Sequence, residues 1–130
     1  MDELIARITE SAGLDAAVAR KAVGIVLAFL QKEGPAAEVG QLVAALPGAE
    51  ATIAEAQGGS GGNGLAGMIG GLMGNAGGIM GLAGQLTSAG VSMGQMQPLG
   101  KALFAYAREK AGEDVVGPIV GAVPGLSQFV

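Results

Sequence analysis

The chain has 130 residues, contains no cysteine and no histidine, and carries a formal net charge of −4. The two absences exclude disulfides, Cys/His metal sites, thiol nucleophiles and imidazole bases. The seven basic residues form no stripe, so the counterion release that drives nucleic-acid binding is small, and we expect no nucleic-acid partner. With 50% hydrophobic but only 3% aromatic residues, the core must come from small aliphatic side chains, which favours closely packed helices.

The first predicted element is a short helix after Asp2, a good N-cap residue. Leu4 and Ile8 share one face of this helix. Gly13 suits the left-handed position that ends a helix. Because the amino terminus carries Asp2 and Glu3 where a signal peptide would be basic, we expect a cytoplasmic protein.

A long helix is predicted next, with Asp15 as its N-cap. We expect this helix to be the most buried element, because it carries a long apolar stripe. The stripe comprises Val18, Ala22, Ile25, Val26 and Phe29. Gly34 ends this helix and Pro35 enters the first turn of a third. Residues 49–56 are expected to add one or two helical turns.

The middle of the chain is uncharged from Glu55 to Lys101 and rich in glycine. Residues 57–64 have the composition of a flexible linker. From Leu65 onward, apolar residues keep helical spacing, and a second stripe at the same period consists of Gly67, Gly71, Gly74, Gly78 and Gly81. Glycine destabilises a helix interior by roughly 1 kcal/mol relative to alanine, so we expect this stripe to be a helix-contact face, packed against this chain, a second copy or lipid.

An internal duplication joins the two ends of the chain. Residues 11–53 align with residues 88–130 at a constant offset of 77, with ten identities in 43 pairs, and apolar positions match apolar positions. The second copy predicts helices near 79–89, 93–111 and 113–122, with a kink or a late start at Pro98 in the long helix.

These elements predict an all-α fold of two pseudo-symmetric three-helix units joined by a Gly-rich spacer and a Gly/Met-rich helix. We assign residues 1–56 to the first repeat, 57–78 to the linker and the start of the Gly/Met helix, and 79–130 to the second repeat. Each repeat is too small to bury an adequate core alone, so we expect the two to pack together as one domain.

Catalytic, cofactor and metal sites are not expected. Gly59 to Gly64 match the dinucleotide-binding spacing G-x-G-x-x-G, but no predicted strand precedes them and no acidic residue follows at the required distance. The candidate acid pairs are better explained as solvated charges at helix ends; they are Glu3 with Glu10, Glu33 with Glu38, and Glu113 with Asp114. Tyr106 aligns with Phe29, which predicts a core ring rather than a catalytic hydroxyl.

The order of elements resembles a family of small bacterial all-helical proteins of unknown function with an internal duplication. The resemblance rests on the Ser-Ala-Gly-Leu turn at 11–14, the Ala-Leu-Pro-Gly end at 45–48, the Gly-rich spacer, and Leu-Ala-Gly-Gln-Leu at 82–86 before the second copy. It implies an all-helical fold and supplies no activity.

The function expected from these features is that of a non-catalytic helical interaction or scaffold protein, with a second copy or another protein as partner. The alternative is a peripheral or membrane-inserting module that uses the uncharged segment, although Gly, Asn75 and Gln85 dilute the apolar character of residues 65–86 below that of a typical span. An enzyme is the weakest reading, because its site would need carboxylates, lysines and Tyr106 alone.

Overall fold

The computed structural model describes residues 2–58, 78–123 and 125–129, and every regular element in these ranges is helical. The elements are α1 (Asp2–Ala12), α2 (Ala16–Glu33), α3 (Ala36–Ala45), α4 (Ala49–Gly58), α5 (Gly78–Ala89), α6 (Met93–Ala111), α7 (Glu113–Ala122) and a 3₁₀ helix, Leu126–Phe129. The all-α prediction is therefore confirmed, and the helices predicted near 79–89, 93–111 and 113–122 lie where expected.

Glycines in the left-handed region close several helices, as the sequence predicts. Gly13 has φ of 70° and follows α1, and its N–H donates to the carbonyl of Thr9 at 3.0 Å. Gly90 has φ of 109° and follows α5. Since L side chains rarely adopt such angles, both turns require glycine.

The helix starts differ from the predictions in detail. Asp15 stands at the N-cap of α2, but its side chain makes no capping hydrogen bond. Pro35 precedes α3 as its N-cap rather than lying in its first turn. Of the two alternatives expected at Pro98, a kink or a late start, the late start is wrong, because α6 already begins at Met93. There the Gln95 side-chain carbonyl accepts a hydrogen bond from the Ser92 backbone N–H at 3.0 Å, which fixes the beginning of the helix upstream of the proline.

One aliphatic core lies between the helices. α2 contributes most to it, with an unbroken buried run from Ala22 to Leu27. Phe104 of α6 is the largest fully enclosed side chain of the described residues, at 2% exposure, and Phe29 of α2 is 9% exposed. All buried side-chain nitrogen and oxygen atoms in the described ranges have hydrogen-bond partners.

The helices of the two predicted repeats pack across each other. α1 lies against α6, α5 lies against α2, and α3 contacts α7. Gln95 of α6 donates a hydrogen bond to the carbonyl of Gly13 at 3.5 Å, while Gly90 approaches Val18 of α2. These two contacts correspond to each other at the 77-residue offset, since Gln95 aligns with Val18 and Gly90 aligns with Gly13. This reciprocity supports the predicted pseudo-symmetry, which stays a prediction together with the proposed repeat boundaries.

Candidate functional site

The predicted glycine face falls mostly outside the described residues. Gly67, Gly71 and Gly74 lie in the range 59–77, which the structure does not describe. Gly78 is the first residue of α5, and Gly81 is half-buried one turn later. The helix-contact face therefore stays a prediction.

A close helix contact lies at Gly24, a glycine outside the predicted stripe. A Cβ on Gly24 of α2 would lie 2.4 Å from the carbonyl oxygen of Thr52 and 2.6 Å from the Cβ of Ala56, both on α4. Such distances are far inside van der Waals contact, so α4 packs directly on the backbone of α2. The signal was present as a single glycine within an apolar helix and as small residues at helical spacing on α4.

Thr52 lies in the middle of this contact and is almost completely buried, at 1% exposure. Its hydroxyl donates to the carbonyl of Gly48 at 2.9 Å, one turn earlier in the chain. The hydroxyl is therefore satisfied by the residue that immediately precedes its own helix. A hydroxyl so engaged adds no free donor to the contact with α2.

Beside the α2–α4 contact lies a shallow groove of about 350 Å³. Its floor is mainly apolar and its rim is charged. The lining residues are Ala17, Val18, Arg20, Lys21, Glu55, Ala56 and Ala89, from α2, α4 and the end of α5. The groove is thus built by α2 and α4, which meet at Gly24, and by the end of α5.

The rim of the groove carries more positive than negative charge. Arg20 pairs with Glu55 at 3.3 Å, and their side chains are 50% and 56% exposed. A pair this exposed contributes little to stability. Lys21 adds a second cation beside it. An apolar floor with a basic edge suits an apolar protein surface that has an acidic margin.

A second polar cluster joins α1 to α6 and does not line a cleft. Arg7 pairs with Glu3 at 3.1 Å and donates a hydrogen bond to Glu109 of α6. The Tyr106 ring is 3% exposed and has Arg7 and Lys110 over it, each 5.4 Å from the ring centroid. The prediction that this ring belongs to the core is confirmed. The hydrogen bond from Arg7 lowers the pKa of Glu109 below its ordinary value and raises that of Arg7.

Four carboxylates of the acid pairs weighed from the sequence are exposed, namely Glu3, Glu10, Glu113 and Asp114. Glu3 is engaged by Arg7, whereas Glu10 is exposed on α1. Glu113 and Asp114 lie exposed in the first turn of α7, where they complement the helix dipole. Within the ranges that the structure covers, no three acidic side chains come close enough to hold a metal ion.

A small apolar void of about 20 Å³ lies under the C-terminal 3₁₀ helix. It is bounded by side chains such as Val26, Phe104 and Leu126. A void of this size accommodates about one water molecule and supplies no polar partners for it. It is a packing defect rather than a ligand site.

Among the helices in the described ranges, none combines the length and the apolar character needed to cross a bilayer. Comparisons of the chain with protein-family models, curated proteins and solved structures gave no match. The resemblance to small bacterial helical proteins therefore stays a prediction.

Proposed function

We propose that this protein is a non-catalytic helical interaction or scaffold protein that associates with a second copy of itself through the groove between α2, α4 and α5. The observation that carries the proposal is the groove itself, an apolar concavity outside the core with a volume of about 350 Å³. This volume accepts a few side chains from a partner's surface.

Charge favours a second copy as the occupant. The chain has a net charge of −4, and residues 1–56 contain eight acidic and four basic side chains. The groove concentrates two of these four cations, Arg20 and Lys21, at its rim. A basic rim on an acidic chain is complementary to the rest of that chain's own surface.

Ala17→Arg tests the proposal. Ala17 is exposed in the first turn of α2 and lines the groove, so an arginine there obstructs the concavity without entering the core. Ala37→Arg is the matched control, because Ala37 is exposed at the same position of α3 and does not line the groove. Sedimentation over a concentration series should show self-association for the native chain and for Ala37→Arg, and a monomer for Ala17→Arg.

Two other results would assign the groove differently. A native chain that stays monomeric at every concentration rejects the groove as a self-association surface. If, in addition, only Ala17→Arg lowers the midpoint of thermal unfolding, the occupant is another segment of the same chain.

The alternative, a peripheral or membrane-inserting module, is separated from this proposal by flotation. The full chain is mixed with vesicles of neutral and of anionic phospholipid and centrifuged. Recovery of the chain with the vesicles would favour the membrane alternative. Recovery in the lipid-free fraction, together with concentration-dependent association, supports the scaffold.

A further inference from the structure

The two halves of the chain each cover the apolar face of the other. α1 of the first half lies on α6 of the second, and α5 of the second half lies on α2 of the first. α3 and α7 meet between them. Neither half therefore completes its own core, and each presents a surface shaped for the other.

Polar contacts across this boundary favour pairing of unlike halves. Arg7 of the first half is hydrogen-bonded to Glu109 of the second. The position that corresponds to Glu109 in the first half, 77 residues earlier, is Lys32. Two first halves paired in the same way would place Arg7 against Lys32, and this repulsion disfavours the like pairing.

Two second halves would lose the same interaction in another way. Gly84 occupies the position that corresponds to Arg7, so no cation would be available for Glu109. The ion pair therefore forms only when a first half meets a second half.

We infer that the boundary between the halves is also a recognition surface for a second copy of this chain, in which residues 2–58 of one copy pair with residues 78–129 of another through the same α1–α6, α2–α5 and α3–α7 contacts. The resulting dimer is reciprocal and closed. It contains no contact that the single chain lacks, because each core is completed by an identical half.

Concentration decides between the two arrangements. The two halves belong to one covalent chain, which sets a high effective concentration for pairing within that chain. The fraction of chains that pair with another copy rises when chains refold at high concentration. The exchange preserves the groove, because α2 and α4 of one copy then meet α5 of the other in the same arrangement.

The absence of cysteine from the chain allows a direct test by cross-linking. All variants carry Ala17→Arg, which removes association through the groove. One variant adds Arg7→Cys with Glu109→Cys, a pair that spans the boundary, and its matched control adds Arg20→Cys with Glu55→Cys, a pair within the first half. These side chains are between 38% and 56% exposed, so their replacement leaves the core intact.

Each variant is unfolded, refolded over a range of concentrations, separated by size and treated with a short bis-maleimide. We expect the dimer fraction to rise with the concentration during refolding. In the isolated dimer, the boundary pair should give a covalent two-chain product on a denaturing gel, while the within-half pair should give only internally linked single chains. Circular dichroism checks that both variants are helical.

Two results would overturn the inference. One is the absence of a dimer at every refolding concentration, and the other is a dimer in which the boundary pair closes within single chains. Neither result affects the groove proposal, which is judged on natively purified chains that have never been unfolded.

Discussion

Gly24 is the residue at which packing overrides helix propensity. Alanine stabilises an ordinary helix interior relative to glycine by about 0.5–1 kcal/mol. At this position, however, the added methyl group would meet the backbone carbonyl of Thr52 at 2.4 Å. A backbone atom cannot rotate away as a flexible side chain can, so α4 would have to shift.

Gly24→Ala should therefore lower the free energy of unfolding by about 1–3 kcal/mol, the usual range for an overpacked core. Gly40→Ala is the control, since Gly40 lies in the interior of α3 with nothing within 4 Å of an added Cβ. The control should gain up to about 1 kcal/mol. Urea unfolding of both variants measures the difference, and equal signs for the two would refute the close contact.

The Arg7–Glu109 pair gives stability a defined dependence on pH. The hydrogen bond from Arg7 depresses the pKa of Glu109 in the folded state, so the folded state binds this proton less readily than the unfolded chain. The stabilisation is complete above the ordinary pKa of glutamate and is lost as the pH falls through the depressed value.

Glu109→Gln should remove that part of the pH dependence. Urea midpoints recorded from neutral to acidic pH should fall less steeply for this variant than for the native chain. Glu10→Gln is the control, because Glu10 is exposed on α1 and outside the ion pairs described, and its profile should follow the native one. Identical slopes for all three proteins would mean that the pair does not stabilise the contact between α1 and α6.

At the scale of elements, helix ends could be predicted and helix partners could not. Gly13 and Gly34 are local signals for the end of a helix. Gly13 ends α1 by its left-handed backbone, and Gly34 ends α2 directly before Pro35, so neither signal depends on the rest of the fold. The contact of Gly24 with Thr52 depends on where α4 lies, which no local pattern encodes. The groove escaped prediction for the same reason, since its lining comes from three separate helices.

The docking of α4 on α2 can be tested within one helix. Ala49 is fully buried in the first turn of α4, whereas Ala51 is exposed two residues later. Ala49→Leu should destabilise the protein by about 1–3 kcal/mol, because the extra atoms have no space to occupy. Ala51→Leu should leave the thermal midpoint nearly unchanged. A reversed order of the two midpoints would show that α4 presents its other face to the core.

On the scale of the whole molecule, the two halves depend on each other within one chain. The first helix of each half, α1 or α5, packs on the long helix of the other half. Apolar periodicity predicted that α1 and α5 each have a buried face. It did not predict that each of them lies on the long helix of the other half, because the two long helices, α2 and α6, present similar apolar stripes. The 77-residue offset indicates that the two units are equivalent. It does not indicate whether the first helix of a unit packs on the long helix of its own unit or on that of the other.

The most direct test of this mutual dependence is thermal unfolding of residues 1–58, followed by circular dichroism and accompanied by the fragment's mass in solution. The fragment lacks α5, α6 and α7, so the apolar faces of α1 and α2 lose the helices that cover them. The predicted result is a broad, non-cooperative loss of helix for the fragment and a single cooperative transition for the full chain. A monomeric fragment that unfolds in a sharp transition of its own would contradict the account.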